Sequence, residues 1–475
     1  MIMVFSSVSF TFLFLPIVLL LSFLFKGKAS NFILLIASLI FYAIGEPKAV
    51  LLMLFSIVIN YLAGLIVSGK KAVLVADIVV NLGILYYFKY LDYTIEVFNL
   101  FTGSRIQILN IVLPIGISFF TFQAMSYVID VYRGDAQVEK NILNVGLYIS
   151  FFPQLVAGPI VRYNTIAEQI RSRTRSLEKF GEGVKRFLVG FAKKVLIANN
   201  LALVADQAFM FGESSEQLKA MPIALAWLGS IAFSLQIYFD FSGYSDMAIG
   251  LGRMFGFEFQ ENFNYPYSAK SITDFWRRWH ISLSQWFRDY VYIPLGGSRN
   301  GSGRQIINLF VVWALTGLWH GANVTFVAWG LMYFVMLILE KMLVKPSTRG
   351  KALCVCWQVL TLLIVNFGWI LFNIESFDKA IAFIGSMFGL YHNAISGPLV
   401  IGLLRDYWFF MFFGIVFSIP VIPKLSGWIT DAFADKKWAQ LVQELLTTAI
   451  LMTLFLWSVS YLVTGAHNPF IYFNF

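Results

Sequence analysis

The chain of 475 residues is 59% hydrophobic and 13% charged, and its formal net charge is +9. Soluble globular proteins carry about 25% charged residues, so this composition excludes an ordinary soluble enzyme and predicts an all-α polytopic membrane protein. A transmembrane β-barrel would instead show segments of about ten residues with alternating hydrophobicity. The positive charge does not indicate nucleic-acid binding, because Lys and Arg collect in the short cytoplasmic loops of membrane proteins.

Apolar runs fill the start of the chain, and most of them approach the roughly 20 residues that cross a bilayer. The runs cover residues 8–25, 31–45, 49–68, 72–89 and 109–131, with an interfacial segment at 91–105. Lysines between the runs predict that the N-terminus lies outside and that the 26–30 and 69–71 loops lie inside. Pro114 and Gly116 predict a kink or a break in the last run, which a membrane helix tolerates where it borders protein or water.

Residues 142–161 pose a topological conflict. A full crossing would place the following loop outside, yet that loop carries the strongest basic cluster of the chain and is expected to be cytoplasmic. The cluster comprises Arg162, Arg171, Arg173, Arg175, Lys179, Lys185 and Arg186. The run FFPQLVAGPIVR holds two prolines and a glycine in its second half, so we predict that residues 142–161 dip into the membrane and return to the same side.

The rest of the chain predicts more spans and several partial helices. Residues 180–210 carry lysines at helical spacing and predict an amphipathic helix on the membrane surface. A Trp- and Arg-rich helix is predicted at 271–293, at the interface or lining a cavity, and an interfacial helix at 377–390. The predicted spans cover residues 220–241, 305–319, 322–339, 353–373, 406–422 and 443–464. We therefore expect about 10–11 transmembrane helices, with re-entrant and interfacial helices, in one integral membrane domain over residues 1–475.

Polar residues crowd into the stretch from Gln236 to Trp329, which predicts a catalytic core at about residues 236–330. Ionisable groups at membrane depth are expensive and usually face a cavity, a partner or a pathway. Two of the four histidines of the chain, His280 and His320, lie in this stretch. A membrane protein that concentrates such groups in one segment is expected to carry out its chemistry there.

His280 follows a tryptophan on the predicted helix at 271–293. Positions three and four apart share one face of a helix, so Trp276 and His280 would line the same side, overlapped by Arg277 and Ser284. The alternative is that this segment is an interfacial aromatic belt with a histidine at a helix end.

His320 lies between two predicted buried helices. Histidine is the side chain whose ordinary pKa is closest to neutral pH, so it suits the abstraction of a proton. The following Gly321 would leave room for a substrate near the backbone. The alternative is a hydrogen-bonded histidine of the core.

Other chemistry fits this stretch less well. A zinc site needs three or four ligands at close spacing, whereas His280 and His320 lie 40 positions apart. Neither a G-x-S-x-G elbow nor a P-loop occurs in the sequence. A histidine base acting on two bound substrates therefore remains, with much of the rate supplied by holding the reactants together. Asp240 and Asp246 flank the FSGYS segment, where they would orient a histidine or hold a loop.

Several motifs of this chain resemble those of the membrane-bound O-acyltransferase (MBOAT) family, in particular its bacterial alginate O-acetyltransferase-like branch. The most specific are YFDFSGYSDMAIGLGRMFGF, ENFNYPY, FWRRWHISLSQWFRDYVYIPLGG and LWHGAN, and the likeness runs from the MVFSSVSFTFLFLP start to the FIYFNF end. The family has two functional histidines. By their place in the motifs these are His280 and His320, and the resemblance implies that His320 is the principal catalytic residue.

The resemblance also implies a ring of helices around a thin core, with a channel through which an acyl group crosses the bacterial inner membrane. The implied donor is cytoplasmic acetyl-CoA, with no tightly bound cofactor or metal. The implied acceptor is an exported polysaccharide, reached through an extracytoplasmic SGNH-type acetyltransferase partner, and membrane lipid surrounds the chain. Candidates for lining the channel are Asp240, Tyr244, Asp246, Trp276, Arg277, Trp279, Ser284, Trp319 and Asn323.

Two other functions stay open at this stage. A related branch of the family moves D-alanine to teichoic acid from a carrier protein and shares the two histidines, although the SGYSDMAIGLG and YIPLGG motifs look more like the acetyltransferase branch. A transporter that relays protons through its histidines is the other alternative. Such a protein would be expected to show inverted repeats, and none is recognisable in the sequence.

Overall fold

The computed structural model describes residues 3–212, 214–343, 351–433, 436–465, 467–469 and 471, so most of the FIYFNF end lies outside it. Every regular element in these ranges is a helix. The first eleven α-helices are α1 (Leu15–Leu24), α2 (Gly27–Gly45), α3 (Ala49–Ile66), α4 (Lys71–Lys89), α5 (Leu91–Thr102), α6 (Ile117–Arg133), α7 (Ile142–Ser150), α8 (Phe152–Leu155), α9 (Tyr163–Arg171), α10 (Leu177–Ala192) and α11 (Asn199–Phe209).

The second half of the chain continues the all-helical pattern. Its α-helices are α12 (Ser215–Lys219), α13 (Ile223–Met254), α14 (Ile272–Trp276), α15 (Ile281–Phe287), α16 (Gly301–His320), α17 (Val324–Leu343), α18 (Lys351–Asn373), α19 (Phe377–Met387), α20 (Pro398–Phe417), α21 (Val421–Ala432) and α22 (Lys437–Val463). Short π-helical turns at Phe10–Phe14, Lys193–Ala198 and Arg288–Tyr292 adjoin α1, α10 and α15.

Nine helices within the described ranges are long and apolar enough to cross a membrane, fewer than the 10–11 expected. They are α2, α3, α4, the continuous Leu177–Phe209 helix, α13, α17, α18, α20 and α22. Three predicted crossings are not among the nine, and one of the nine, Leu177–Phe209, was not predicted as a crossing. The apolar helix at Phe10–Leu24 is short, α6 begins only after Gly116, and α16 carries polar residues at both ends.

Contacts among the described residues form two compact units. The first unit lies within Met1–Phe187 and Tyr244–Glu261, and the second within Leu188–Gly243 and Asn262–Phe475. Both histidines of the predicted core belong to the second unit.

In the first unit, the chain between Lys140 and Ile170 turns back on itself. The chain starts beside the end of α3, reaches the middle of α2 and then returns to the first turns of α2. Three hydrogen bonds mark the path: Tyr61 Oη to Lys140 O at 2.9 Å, Phe152 N to Ser38 Oγ at 3.1 Å, and Asn31 Nδ2 to Ile170 O at 2.7 Å. The basic loop that follows therefore lies at the same end of the unit as the 26–30 loop.

The predicted break in the 109–131 run occurs at Gly116. This residue has a φ of +74°, and α6 starts at the next position. A Cβ atom at Gly116 would lie 2.8 Å from the carbonyl oxygen of Leu155. Glycine is needed here both for the left-handed backbone and for the close approach of the returning chain.

The helix predicted at 220–241 is longer than expected. α13 continues for 32 residues to Met254, so the FSGYS segment and both of its flanking aspartates are helical. The glycines of this run allow close backbone approach. In the first unit, a Cβ at Gly250 would lie 2.6 Å from the carbonyl oxygen of Gly183 on α10, a small-residue contact typical of membrane helices.

Residues 180–210 do not form the surface helix that was predicted. They belong to a continuous helix, Leu177–Phe209, whose apolar window is largely buried. Lys194 is 3% exposed and forms an ion pair with Asp240, at 2.6 Å between Nζ and Oδ1. The lysine spacing suggested a solvated face. Local sequence does not show that Lys194 has a buried carboxylate partner, Asp240, on another helix.

The last described residues pack against this ion pair. Lys194 Nζ also donates to the carbonyl oxygen of Pro469, and the backbone N–H of Ile471 donates to Asp240 Oδ2 at 3.0 Å. Asn199 Nδ2 donates to Asn468 Oδ1 at 3.1 Å. A buried ion pair needs such additional hydrogen bonds to offset its desolvation, so this short segment completes the environment of both charges.

Candidate active site

His320 is the last residue of α16, and aromatic rings surround it. The following residue, Gly321, is extended and ends the helix. The imidazole is 6% exposed. Its centroid lies 5.0 Å from that of Trp329, 5.0 Å from that of Phe372 and 4.9 Å from that of Trp319. The ring is thus fixed by packing between α16, α17 and α18.

The space beside Gly321 is occupied, which corrects the expectation that it leaves room for a substrate. A Cβ atom built there would lie 2.3 Å from the ring of Phe326. Gly321 therefore allows the ring of Phe326, near the start of α17, to pack directly against the backbone. The next residues are less buried, since Ala322 and Asn323 are partly exposed and Val324 is exposed.

His280 lies in a break between two short helices, not within one helix as predicted. α14 ends at Trp276 and α15 starts at Ile281. His280 itself has a φ of +45° and a ψ of +53°, a left-handed conformation that is uncommon for residues other than glycine. Strained backbone of this kind concentrates at functional sites.

The break also changes the predicted grouping of side chains around His280. Because the helical register is interrupted, Trp276 and His280 are not successive positions on one face. His280 is 2% exposed, whereas Arg277 and Ser284 are exposed. The two polar side chains therefore lie in more exposed surroundings than the imidazole.

The side chain of Asn262 holds the His280 segment in place. Its Oδ1 accepts hydrogen bonds from Ser282 N at 3.1 Å and Ser282 Oγ at 2.9 Å, and it lies 3.3 Å from His280 Nδ1. The backbone oxygen of Asn262 accepts from Ile281 N at 3.0 Å. From the sequence, ENFNYPY was noted only as a motif, and Asn262 was not predicted as a site residue.

These contacts define the tautomer of His280. A backbone N–H can only donate, so the Asn262 atom that receives Ser282 N–H is an acceptor. His280 Nδ1 must then be the donor in the contact with the same oxygen. The proton of the neutral imidazole thus resides on Nδ1, which makes Nε2 the atom with the lone pair, because the hydrogen bond at one ring nitrogen sets the state of the other.

Burial also determines the charge of His280, which lies between the candidate spans. Removal from water penalises the imidazolium form and lowers the pKa of His280 to about 3. The side chain is neutral at physiological pH. In this neutral form it can accept a hydrogen bond at Nε2.

The two histidines, distant in sequence, approach the same tryptophan. The centroid of the His280 ring lies 6.2 Å from that of Trp319, and the His320 ring lies 4.9 Å from it. The ring of Phe241 on α13 closes the other side of His280 at 4.6 Å. The structure therefore brings His280, His320 and Trp319 together within the second unit.

An aromatic cluster continues from His320 and includes polar atoms that lack partners. The rings of Trp276, Trp313, Trp329 and Tyr333 lie within 6.2 Å of one another. Within the described part of the chain, Trp276 Nε1, Trp329 Nε1 and Tyr333 Oη are buried without a hydrogen-bond partner. Buried polar groups are normally satisfied, and each such exception calls for a physical explanation.

The other predicted site residues have varied surroundings. Trp279 is buried and packs on Trp369, with 4.6 Å between centroids. Asn323 caps α17 by accepting from Thr325 N at 3.1 Å, and its Nδ2 donates to Glu375 O at 3.1 Å. Both residues belong to the second unit, as does Asp240 in its ion pair with Lys194.

Tyr244 and Asp246, also predicted to line the channel, belong to the first unit. Asp246 Oδ1 lies 2.6 Å from Arg186 Nη2, and the same Nη2 lies 2.5 Å from Glu261 Oε2. Tyr244 stacks on Phe5 with 4.5 Å between centroids. In the ranges described by the structure, no group of three or more His, Cys, Asp or Glu side chains is arranged to hold a metal ion.

These features define a helical, multi-pass membrane protein with histidines buried among the helices, and comparison with known proteins identifies its class. The chain belongs to the membrane-bound O-acyltransferase family and is an acyltransferase. The family model described as "MBOAT, membrane-bound O-acyltransferase family" matches residues 138–349, which include both histidines.

Three curated relatives extend this similarity over most or all of the chain. The probable alginate O-acetylase AlgI of Pseudomonas putida is 40% identical, covering 100% of each chain. The probable alginate O-acetylase AlgI of Pseudomonas syringae pv. tomato is 43% identical over 87% of this chain and 82% of its own. The peptidoglycan O-acetyltransferase of Helicobacter pylori is 34% identical over 83% of this chain and 81% of its own.

Proposed function

We propose that this protein transfers acetyl groups from cytoplasmic acetyl-CoA to an exported polysaccharide, of which alginate is the foremost candidate. The relatives matched along the whole chain carry the name alginate O-acetylase. The observation that carries the proposal is the placement of His280 and His320 against Trp319 in a buried aromatic site. Such a site excludes bulk water, which favours acyl transfer to a bound alcohol over hydrolysis.

In the proposed reaction, His320 acts as the general base. It removes the proton from the acceptor hydroxyl while the oxygen attacks the thioester carbonyl carbon. The new C–O ester bond forms, the C–S bond breaks, and the departing coenzyme A sulfur takes the proton from His320. One acetyl-CoA and one alcohol thus give one ester and one free thiol. General-base catalysis of this kind contributes about 10²–10⁴ in rate.

His280 plays a different part because its imidazole stays neutral. With Nδ1–H held by Asn262, Nε2 can accept a hydrogen bond from a bound substrate hydroxyl and so orient it. The N–H groups of Trp276 and Trp329 and the hydroxyl of Tyr333 supply donors for the polar portion of a substrate. Donors placed where negative charge develops on the thioester oxygen would stabilise the transition state.

The proposal includes an architecture and a partner. One membrane domain over residues 1–475 would surround a channel in the bacterial inner membrane, with re-entrant and interfacial helices around it. An SGNH-type acetyltransferase outside the membrane would receive the acetyl group, and its hydroxyl nucleophile would be the alcohol in the step above. Among the channel candidates of the second unit, Trp319 would line the passage, because its ring lies beside the rings of both histidines.

The test measures ester-linked acetate on the exported polysaccharide of cells that carry either the unaltered protein or His320→Gln. We expect acetate to fall to background for His320→Gln, whereas His392→Gln, an exposed histidine, leaves it unchanged. Normal acetylation by a His320→Gln protein present at normal abundance would refute the role of His320.

A second measurement identifies the donor. Membranes that contain the protein and its partner are incubated with labelled acetyl-CoA, and label in the polysaccharide is counted. If acetyl-CoA gives no label and a carrier protein charged with labelled D-alanine does, the proposal would be replaced by the D-alanyl type of transfer. Solute flux without any acetyl donor would indicate a transporter.

A further inference from the structure

A cleft of about 540 Å³ in the first unit combines positive charge with an apolar rim. Four of its lining residues are cationic, namely Lys26, Arg171, Arg173 and Arg175, and no lining residue is acidic. The cleft lies between the basic loop that follows residues 142–161 and the junction between α1 and α2. The loop was interpreted from the sequence only as a marker of the cytoplasmic side.

Hydrogen bonds hold the two inner arginines, but no carboxylate neutralises them. Arg173 donates to Asn31 Oδ1 at 2.5 Å and to Phe255 O at 3.0 Å. Arg175 donates to the carbonyl oxygen of Ser22 and to Ser30 Oγ. All of these acceptors are neutral. Among the described residues, neither arginine forms an ion pair, in contrast to Arg171, whose Nη2 lies 3.3 Å from Glu139 Oε2.

The two guanidinium groups are close enough to repel each other. Both donate to the single hydroxyl of Ser30. Burial, together with the charge of Arg175, lowers the pKa of Arg173 to about 9. Half-buried charges are normally paired because removing them from water is costly, so two neighbouring cations with neutral partners create a strong local demand for an anion.

The rim of the cleft indicates what kind of molecule carries that anion. Leu177 is 90% exposed and Phe23 is 42% exposed, and both line the cleft. On α1, the neighbouring residues Leu20 and Leu24 are also exposed and extend this apolar surface. A soluble phosphate would gain nothing from this surface, whereas a molecule with hydrocarbon chains would bury it at about 25 cal/mol per Å².

We propose that this cleft binds the headgroup of an anionic phospholipid, with its acyl chains lying along α1. The phosphate accepts hydrogen bonds from Arg173 and Arg175, and Lys26 contributes charge at the entrance. Arginine suits this role because its planar donors match phosphate oxygens. The basic loop that lines the cleft is predicted to be cytoplasmic, and basic residues near the cytoplasmic surface attract the anionic lipids found there.

Native mass spectrometry of the purified, delipidated full chain tests this proposal. Phosphatidylglycerol and phosphatidylcholine with identical acyl chains are titrated onto the protein. We expect retention of phosphatidylglycerol and at least tenfold weaker retention of phosphatidylcholine. Arg173→Gln/Arg175→Gln should weaken phosphatidylglycerol binding at least tenfold. The control is Arg405→Gln, which removes a surface arginine that is 78% exposed and paired with Asp406.

Coenzyme A and inorganic phosphate serve as competing ligands. Displacement of phosphatidylglycerol by either at micromolar concentration, or equal binding of both lipids, would overturn the lipid assignment in favour of a soluble phosphate or of a nonspecific surface. Should the double variant fail to fold, a photoactivatable phosphatidylglycerol attached to the unaltered protein gives an independent result. Its crosslinks are expected in peptides that contain residues 20–27 and 171–177, and crosslinks elsewhere alone would refute the proposal.

Discussion

The surroundings of the two histidines differ in the kind of force that fixes each ring. Hydrogen bonds around Asn262 hold His280, whose backbone is in the left-handed conformation. His320 ends a regular helix and is held by three aromatic rings. The hydrogen bonds around Asn262 decide the tautomer of His280. The roles proposed above, orientation of the substrate for His280 and proton transfer for His320, are therefore open to separate tests.

The largest expected effect comes from removing the imidazole at His320. We expect His320→Gln to lower acetyl transfer by about 10²–10⁴, the usual contribution of a general base, while His280→Gln, which retains a polar group beside Asn262, lowers it less. Initial rates with labelled acetyl-CoA measure both variants. A greater loss for His280→Gln than for His320→Gln would reverse the assignment of roles.

The next effect concerns the support of His280. Asn262→Ala removes the acceptor shared by Ser282 and His280, and the loss of buried hydrogen bonds costs about 1–3 kcal/mol of unfolding free energy. We expect transfer to drop about tenfold or more, because Nδ1 loses the partner that orients the ring. Ser282→Ala removes only one donor and should have a smaller effect on both properties.

Measuring the rate per folded molecule separates these two consequences. If Asn262→Ala lowers the thermal unfolding temperature but leaves that rate unchanged, the hydrogen bonds around His280 serve stability alone. The contrast between the two histidine environments would then lose its functional meaning.

The unpaired donors near His320 predict a smaller effect. Trp329→Phe retains an aromatic ring but removes an N–H that has no partner within the described residues. We expect kcat/KM to fall about tenfold, the worth of one good hydrogen bond, with little change in stability. The matched control is Trp369→Phe, which removes a donor to Tyr267 Oη at 3.1 Å and should reduce stability. Equal kinetics for both variants would argue against substrate contact at Trp329.

The smallest effect is a dependence of stability on pH. The pKa of His280 is about 3 in the folded protein, whereas an unfolded histidine titrates near 6.5. As the pH falls below about 6.5 the unfolded chain gains a proton that the folded chain does not, so the contribution of neutral His280 is lost progressively. Between pH 7 and pH 5, the thermal unfolding temperature of the unaltered protein should therefore fall about 1–2 °C further than that of His280→Gln. Parallel profiles would show that His280 is not buried in its neutral form.

Local sequence predicted the helical class, most helix positions and the break before α6 because each depends on apolar length or on Pro and Gly. The re-entrant path of 142–161 stays a prediction, which rests on the basic loop residues that restrict which side the chain can reach. The proposed catalytic histidines followed from motif resemblance as well as from their place in the polar stretch.

Features that depend on distant partners were not predictable in the same way. The lysine spacing in 180–210 suggested a solvated face because Asp240, the partner of Lys194, lies on another helix. The interruption at His280 was missed because residues 271–293 contain no Pro or Gly that would predict a break in the helix. Asn262 contacts Ser282 only because of that interruption. Three-dimensional proximity decides these cases.

The segment that completes the Lys194–Asp240 pair has a consequence for biosynthesis. Both charged residues leave the ribosome long before Pro469 and Ile471, which supply a carbonyl acceptor and an N–H donor to them. While translation of the remaining helices proceeds, the pair exists without these two contacts. Maturation of the second unit is thus tied to the synthesis of residues 469–471, and a premature stop before them would leave the buried ion pair without these two hydrogen bonds.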